Sequence, residues 1–582
     1  PRGLRCVLMT ELCHPKKFKS NNQSVYKMAM MIDDTPMEEE KNVKVLEHNK
    51  KFDRQIRLWG IHGQRNIERT HIVVLGSGPT ASETLKNLVL PNMGQFTIID
   101  NAIVNEADLG NNFFVDSSGL GKSRAKVVTE LLLEMNPDVK GLSILKDPVA
   151  VIETEIEIFE RYTIVVATQI HGLPIQKLAS FCFEKKIPFL WLRSYGLLSC
   201  VRVAFPQHLV IESHPEDDRQ DLYIHPKQLS RFSVLKDYLE SFDLHNADTK
   251  YHVHIPFIAI LVRCTQIWQQ KHNGSLPSGW EETSAFKSLI QSYRNHPEAI
   301  NFIEALAVSF KAITKPRVPS EVLKVLNDPN SKDLNAQSDP FWILVAALNL
   351  FIETEGDGFL PVSTNIPDMT SESECYVRIK RIYLEKAESD SAFIQKSVKD
   401  ILEEIGLPEY TISDEDIAYF VKNCRNLACI RTRSIAAEYD TNIHSDDLIE
   451  ELTEFDPSES DDRPPEQQIL NPKNVHWYYC FRAIEEFWMA TNRIPESDED
   501  VATLSKIVTR LYAENGLSDH SMPVECLHEI CRFGGSELHN ISAFIGGVAS
   551  QICLKLVTKQ YIPLNNTFFF NGIFSSASRW DL

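Results

Sequence analysis

The sequence predicts an α/β fold in which a domain with a parallel sheet is split by a large, mainly helical insertion and completed by the C-terminus. Residues 46–200 alternate short apolar runs with helical patterns, which is typical of a buried parallel sheet. Residues 201–520 lose the strand signal and carry amphipathic helical patterns instead. Residues 521–582 return to an apolar helix and to a strand-like run, Phe568–Phe570. Residues 1–45 are interpreted as a disordered or spurious extension without function.

The elements of the first α/β part follow from the order of its patterns. Short apolar runs are interpreted as four strands: Ile72–Leu75, Phe96–Asp100, Tyr162–Ala167 and Phe189–Leu192. Two runs between them are interpreted as helices, namely Thr80–Leu90 and Lys122–Glu134, the second being closed by Asn136-Pro137. The second strand ends on an acidic side chain, Asp100.

The insertion and the C-terminal part are predicted from helical periodicity. Phe341–Ile352 is interpreted as a buried helix, and Tyr376–Lys399 and Trp477–Asn492 as long amphipathic helices. The stretch Asp440–Glu466 holds eleven acidic residues and one arginine, so it is predicted to be a solvated linker. The small residues of Ala543–Ser550 open an apolar helix.

Composition excludes several classes of partner and site. The net charge of −20 and a pI of about 5.4 argue against nucleic acid, because phosphate binding needs clustered Lys and Arg. We find no apolar run of the about 18 residues that span a bilayer, and expect no membrane span. The twelve cysteines form no CxxC pair, which argues against a zinc site or a disulfide framework and fits a reducing compartment. A cytoplasmic location is expected, with the nucleus as a second one to consider.

The most informative motif joins a glycine loop to a segment that precedes it. Gly76-Ser77-Gly78-Pro79-Thr80-Ala81 follows an apolar strand and fits the G-x-G-x-x-G/A turn, in which backbone N–H groups and a helix N-terminus approach a phosphate. This pattern is weak by itself. About twenty residues upstream lies the arginine-bearing segment Phe52–Gly60.

Together these segments resemble the adenylation fold of ubiquitin-like-modifier activating enzymes. More specifically, residues 48–582 are similar to the regulatory subunits of the heterodimeric Nedd-type activating enzymes, the amyloid-precursor-protein-binding-protein family. The most specific shared stretches are Lys86–Pro91, Gly110–Phe114, Arg193–Leu197, Glu212–Pro215, Phe341–Leu344, Ile366–Met369, Thr558–Gln560 and Asn565–Thr567. The resemblance implies a Rossmann-like adenylation domain that is split by the insertion.

The resemblance also implies a pocket that has lost its catalytic groups. Catalytic relatives have a G-x-G-G-x-G loop, whereas Pro79 and Ala81 replace its last two glycines here. Asp100 stands at the position of the ribose-binding acid, but Ala102 replaces a second acid. The family's asparagine–leucine–asparagine–arginine–glutamine stretch has become Asp108–Asn112, which lacks the arginine.

Two further positions depart from the catalytic pattern in the same pocket. Arg124 stands where the family has a catalytic lysine, and Gln169 falls near the position of the magnesium-binding aspartate. We therefore expect that this chain binds no cofactor or metal, and that ATP and magnesium belong to the partner subunit. The degenerate pocket is expected to comprise Gly76, Gly78, Asp100, Arg124 and Gln169.

Arg54 is the one residue that the resemblance assigns to catalysis. In the family the arginine of this N-terminal segment reaches across the dimer into the ATP site of the partner, where an always-charged guanidinium matches phosphate oxygens. The alternative is that Arg54 and Arg57 form surface ion pairs on an amphipathic helix.

A second partner contact is predicted within the insertion. We predict that a group of basic and aromatic residues contacts the catalytic subunit, namely Tyr376, Arg378, Lys380 and Tyr383. An ordinary amphipathic core helix explains the same pattern.

The expected function is that of a non-catalytic subunit. Paired with a catalytic partner, it would help to adenylate the C-terminal glycine of the Nedd-type modifier, which is then loaded as a thioester on the partner and passed to a conjugating enzyme. None of Cys375, Cys480, Cys526 and Cys531 has the surroundings of a catalytic cysteine, so they are interpreted as buried thiols. Three alternatives remain: a self-sufficient nucleotide-binding enzyme that uses the Gly76–Ala81 loop, a regulatory subunit for another modifier such as the sumo type, and a pure adaptor.

Overall fold

The computed structural model describes residues 48–215, 220–246, 248–439, 446–453 and 472–582. The predicted extension, residues 1–45, lies outside the described residues. The chain forms two compact units, one that ends at Leu58 and one from Trp59 to Leu582. The helix Asp53–Arg69 begins in the first unit.

The second unit is organised around an eight-stranded sheet. Its strands are β1 (His71–Leu75), β2 (Gln95–Ile99), β3 (Lys140–Ile144), β4 (Ile164–Thr168), β5 (Phe189–Tyr195), β6 (Leu198–Ala204), β9 (Thr567–Asn571) and β10 (Ser576–Trp580). They lie in the order β10-β9-β6-β5-β4-β1-β2-β3. The pairs from β5 to β3 are parallel, and the pairs from β5 to β10 are antiparallel. The predicted α/β class, with strands from before and after the helical insertion in one sheet, is confirmed.

Three strands of this sheet were not predicted. β3 and β10 lie at its two edges, and their residues are mostly half-buried or exposed, so neither carries an apolar run. β6 continues to Ala204, four residues beyond the predicted boundary at residue 200, because it pairs with β5 and β9. The division into domains otherwise stays a prediction.

Helices cover both faces of the sheet. The first face carries Pro79–Val89, Arg124–Met135 and His539–Thr558. The second face carries Pro148–Thr154 and Leu173–Glu184 at its parallel end. At the antiparallel end it carries three helices of the insertion and C-terminal part, which are Asn474–Thr491, Asp498–Glu514 and Val524–Phe533. The helical insertion therefore supplies part of the core of the α/β layer.

The helix His539–Thr558 contradicts the expectation that no apolar run of the chain is long enough to span a bilayer. It has 20 residues and is the one helix in the described ranges that is long and apolar enough to cross a membrane. However, 61% of its apolar window is buried in the protein. Its small residues Ser542, Gly546 and Ala549 are buried on the face that packs against the helix Pro79–Val89. The apolar run that the sequence analysis missed is thus a core helix in this structure.

The rest of the insertion is mainly helical and has two apolar cores. Its longest helix, Ser373–Glu404, has 32 residues and contributes side chains to both cores. The insertion also contains one small antiparallel pair of strands, β7 (His208–Val210) and β8 (Ala428–Ile430). Other helices in the described part of the insertion are Ser233–Glu240, Phe257–Lys271, Gly279–Ser292, Ile300–Ala307, Ser320–Leu326, Pro340–Glu353, Asp414–Lys422 and Asp446–Thr453.

The predicted helices at Phe341–Ile352, Tyr376–Lys399 and Trp477–Asn492 are confirmed with small shifts of their ends. The predicted acidic linker is wrong in one part. Residues Asp446–Thr453 form a helix, because Leu448 and Leu452 are buried against the antiparallel end of the sheet. Residues 440–445 and 454–471 lie outside the described ranges.

Candidate functional site

The glycine loop lies at the carboxyl end of the parallel strands. β1 ends at Leu75, and the helix Pro79–Val89 begins with a proline, whose missing N–H is not needed at the first helical position. Gly76 has φ +95, and a Cβ there would lie 2.5 Å from Thr168 Oγ1 at the end of β4, so only glycine fits. The loop borders a cavity of about 480 Å³, which is the position where such sheets bind ligands.

Arg124 occupies this cavity with a closed network of ion pairs. Its guanidinium lies 3.0 Å from Asp100 Oδ2 and 2.8 Å from Asp108 Oδ1, and its Nε donates to Ser77 Oγ at 3.0 Å. Both carboxylates are buried. Burial disfavours the ionised form of Asp100, but Arg124 and the hydrogen bonds from Ser77 and Ala102 outweigh it, so the pKa of Asp100 lies below its ordinary value.

The hydrogen bonds of this network already occupy both carboxylate oxygens of Asp100, the acid that would bind the ribose of a nucleotide. Asp100 Oδ2 accepts from the Ser77 backbone N–H at 2.9 Å, and Oδ1 accepts from Ala102 N–H at 2.9 Å. An acid that is held in this way has little capacity left for a ribose hydroxyl. The sequence analysis places Asp100 and Arg124 in one pocket but misses Asp108 as the second carboxylate, because no local pattern shows that Asp108 and Arg124 meet.

Gln169 also lies in the cavity wall, directly after β4. Its Nε2 donates to the Ser194 carbonyl at 2.7 Å, and its Oε1 accepts from Ser194 N–H at 3.2 Å. The amide is therefore held against β5 by two hydrogen bonds, and it has no negative charge to offer a cation. Among the described residues, no group of three or more His, Cys, Asp or Glu side chains is arranged to hold a metal ion.

Glu537 is a pocket residue that sequence analysis missed. It reaches the cavity from the segment before the helix His539–Thr558, and its Oε1 accepts from Thr80 Oγ1 at 2.7 Å. Burial raises the pKa of Glu537 to about 7, although hydrogen bonds from Thr80 and the charge of Arg124 act to lower it. The two hydrogen-bonded residues are 457 positions apart, and no local pattern marks Glu537.

The insertion closes the far side of the cavity. Trp488, Met489 and Asn492 line it from the end of the helix Asn474–Thr491. The same helix carries Glu485, which is 1% exposed and forms an ion pair with Arg193 of β5 at 3.1 Å. Its carboxylate also bonds to His171 Nδ1 at 2.7 Å and accepts from Gly172 N–H at 2.8 Å.

These bonds fix the loop that follows β4, because both His171 and Gly172 belong to it. The burial of Glu485 disfavours its ionised form, but Arg193, His171 and Gly172 outweigh this effect, so the pKa of Glu485 lies below its ordinary value. The pocket wall and the insertion are thus joined by one buried carboxylate.

Arg54 lies in the first unit and is exposed on the helix Asp53–Arg69. Its neighbour Arg57 forms an ion pair with Asp53 at 3.0 Å, which matches the surface interpretation for Arg57. Within the described part of the chain, Arg54 itself has no ion pair or hydrogen bond from its side chain. Its role in the partner's ATP site stays a prediction.

The predicted contact in the long helix is corrected at one residue. Tyr383 is 1% exposed and donates a hydrogen bond to the Leu222 carbonyl, so it belongs to the core and not to a contact surface. Tyr376 donates to Asp368 Oδ1 at 3.2 Å, and the Arg378 guanidinium lies 4.4 Å from the ring centre of Tyr238. Lys380 is exposed. Arg378 and Lys380 are the charged positions at which this contact can be tested.

Of the four cysteines interpreted as buried thiols, Cys480, Cys526 and Cys531 are buried, whereas Cys375 is only half-buried. Burial raises the pKa of Cys526 to about 12 and that of Cys531 to about 11. A nucleophilic cysteine needs the opposite shift, because the thiolate is the reactive form.

The similarities to known proteins extend over almost the whole chain. Residues 52–580 match the ThiF family. The chain is 37% identical over 540 residues to the NEDD8-activating enzyme E1 regulatory subunit AXR1 of Arabidopsis thaliana, which covers 92% of this chain and 96% of that protein. It is 33% identical over 543 residues to the NEDD8-activating enzyme E1 regulatory subunit of Danio rerio, with 91% and 98% covered. The similarity therefore includes both the α/β domain and the insertion.

Proposed function

The chain belongs to the ThiF family and, within it, to the NEDD8-activating enzyme E1 regulatory subunits, and from this premise we propose that it acts as the non-catalytic half of a heterodimer that activates NEDD8 for neddylation. Its partner is the catalytic subunit. The names of the relatives favour NEDD8 over a sumo-type modifier.

The observation that carries the non-catalytic role is the content of the cavity. Forming an acyl adenylate requires cations on the phosphates of ATP and a carboxylate that holds magnesium. Here the cation, Arg124, is already paired with Asp100 and Asp108, and an amide, Gln169, stands near the magnesium position. We therefore assign ATP, magnesium and the thioester cysteine to the partner, and the transient contact with a conjugating enzyme to the assembled complex.

The alternative of a self-sufficient nucleotide enzyme is less well supported. Its requirement is an open phosphate site in the Gly76–Ala81 loop, and the side chains described above already occupy that site. The pure adaptor differs from our proposal only in the role of Arg54, which is tested separately.

The first test concerns autonomy. The isolated chain should show no NEDD8-dependent exchange of pyrophosphate into ATP and should form no reducible thioester. Mixing it with the catalytic subunit should produce both activities. Robust pyrophosphate exchange by the pure chain alone would contradict the proposal. A mixture of the two subunits that shows neither exchange nor thioester formation would also contradict it.

The second test concerns the contact on the helix Ser373–Glu404. Reversing the charge at both Arg378 and Lys380 to glutamate should weaken the heterodimer by roughly tenfold if these side chains face acidic groups of the partner, mainly by slowing association. Titration calorimetry at two salt concentrations would measure the change. Lys399→Glu, on the same helix and also exposed, is the matched control. An unchanged affinity of the double variant would exclude this surface as a contact.

A further inference from the structure

The carboxylate of Glu537 lies where a glycine loop normally receives a phosphate. The helix Pro79–Val89 has 11 residues, and its first turn holds Thr80, whose hydroxyl donates to Glu537 Oε1 at 2.7 Å. A Cβ on Gly78 would lie 2.5 Å from Glu537 Oε2. The second glycine of the loop therefore leaves room for a carboxylate of this chain, in the way that such glycines leave room for a ligand phosphate.

The position of Glu537 is held by several independent contacts. Asn111 Nδ2 donates to its backbone carbonyl at 3.1 Å, and the Thr80 hydroxyl also lies 2.9 Å from Ser194 Oγ and 3.2 Å from Ser542 Oγ. These partners come from the short helix Glu106–Asn111, from β5 and from the helix His539–Thr558. Glu537 is thus held at its carboxyl group by Thr80 and at its backbone by Asn111.

Electrostatics in the cavity oppose a second anion. The N–H groups at the start of a helix can bind one phosphate or carboxyl group, and the Glu537 carboxyl already lies at the start of the helix Pro79–Val89. Arg124 is the one arginine or lysine among the described residues that line the cavity, and its charge is already balanced by the buried carboxylates of Asp100 and Asp108. A phosphate that entered the loop would have to displace the Glu537 carboxyl, and it would then lie near the carboxylate of Asp100, which accepts from the Ser77 backbone N–H.

We propose that the Glu537 carboxyl excludes a nucleotide phosphate from the Gly76–Thr80 loop, and that this one side chain is the main barrier to ATP binding in the cavity. The inference goes beyond the loss of catalytic residues. Those losses explain why the cavity would not catalyse adenylation, whereas Glu537 explains why it would not hold ATP and so would not compete with the partner's site. The exclusion of phosphate depends only on the residues of the cavity and not on which modifier the complex activates.

The test is photolabelling with 8-azido-ATP at about pH 8, where the Glu537 carboxylate is mostly ionised. The full chain is labelled both alone and in the assembled heterodimer, and labelled peptides are assigned to each chain by mass spectrometry. Glu537→Ala removes the carboxylate and opens the space. Glu537→Gln removes the charge but keeps the volume and the acceptor for Thr80. Glu525→Gln, an exposed glutamate of the same C-terminal part, is the matched control.

We expect peptides of wild type and Glu525→Gln to stay at background, while the partner's site is labelled in every heterodimer. Labelling of this chain in Glu537→Ala should rise at least about tenfold above that background, and labelling in Glu537→Gln should lie between that of wild type and that of Glu537→Ala. Labelling of the wild-type chain equal to that of Glu537→Ala would overturn the inference, and so would background labelling of both Glu537 variants in complexes that assemble normally. Failure of the heterodimer to form at all would instead count against the proposed function.

Discussion

Replacing Arg54 by alanine in the assembled heterodimer should slow adenylation of the modifier by roughly 100-fold and leave assembly intact. Arg54 is exposed and, among the described residues, its side chain has no partner, so the substitution should not unfold the chain. If its guanidinium contacts the phosphates in the partner's site, it stabilises charge that develops during the reaction, and the loss of one such donor costs about 3–4 kcal/mol at most. The rate is measured by single-turnover adenylate formation.

Two variants control this experiment. Arg54→Lys should rescue the rate only in part, because lysine lacks the planar pair of donors that matches phosphate oxygens. Arg57→Ala removes an equal charge from the same helix, but Arg57 is already paired with Asp53 on the surface, so its loss should have a small effect. Unchanged adenylation kinetics in Arg54→Ala would assign the chain a purely structural contribution.

Glu485→Ala should lower the free energy of unfolding by about 3–5 kcal/mol, the largest effect on stability that we expect from a single substitution. Removing this carboxylate leaves Arg193, which is 5% exposed, as an uncompensated buried charge. It also removes the acceptor for Gly172 N–H and the partner of His171, so the loop after β4 should loosen. Urea denaturation would measure the loss, and hydrogen exchange at Gly172 would report the loop.

The neighbouring residue supplies the control. Glu486 forms an ion pair with Arg510, whose side chain is half exposed, so Glu486→Ala should cost less than about 1 kcal/mol. Equal destabilisation by the two alanine variants would show that the burial of the Glu485 pair does not govern stability.

The Glu485 network also predicts a pH dependence with a defined sign. Because the folded pKa of Glu485 lies below its ordinary value, its contribution is fully present above the unfolded pKa of about 4.3 and is lost as the pH falls through the folded pKa. The difference in unfolding free energy between wild type and Glu485→Gln should therefore be constant near neutral pH and shrink below about pH 4. A difference that grows with acidification would contradict the assignment.

The parts of the fold that the sequence predicted are those with a local physical signal. β1, β2, β4 and β5 are buried and apolar, so their composition marks them without knowledge of their neighbours. β3 and β10 lie at the sheet edges and carry exposed residues, so no apolar run identified them. The helical positions of Tyr383 and Lys380 were both predicted, but only the packing against Leu222 shows that Tyr383 points inward.

From the sequence by itself one could determine the α/β class, the glycine loop after β1, the helical insertion, the family, and the set of substituted pocket residues. These features depend on composition, spacing and turn chemistry over short stretches of chain. Only the tertiary structure decided what the substituted residues do. Arg124 pairs with Asp108, Glu537 fills the loop from 457 residues away, and Glu485 joins the insertion to β5. Such pairs form because the fold brings distant segments to one edge of the sheet, and hydrogen bonds and ion pairs act over a few ångströms whatever the distance along the chain.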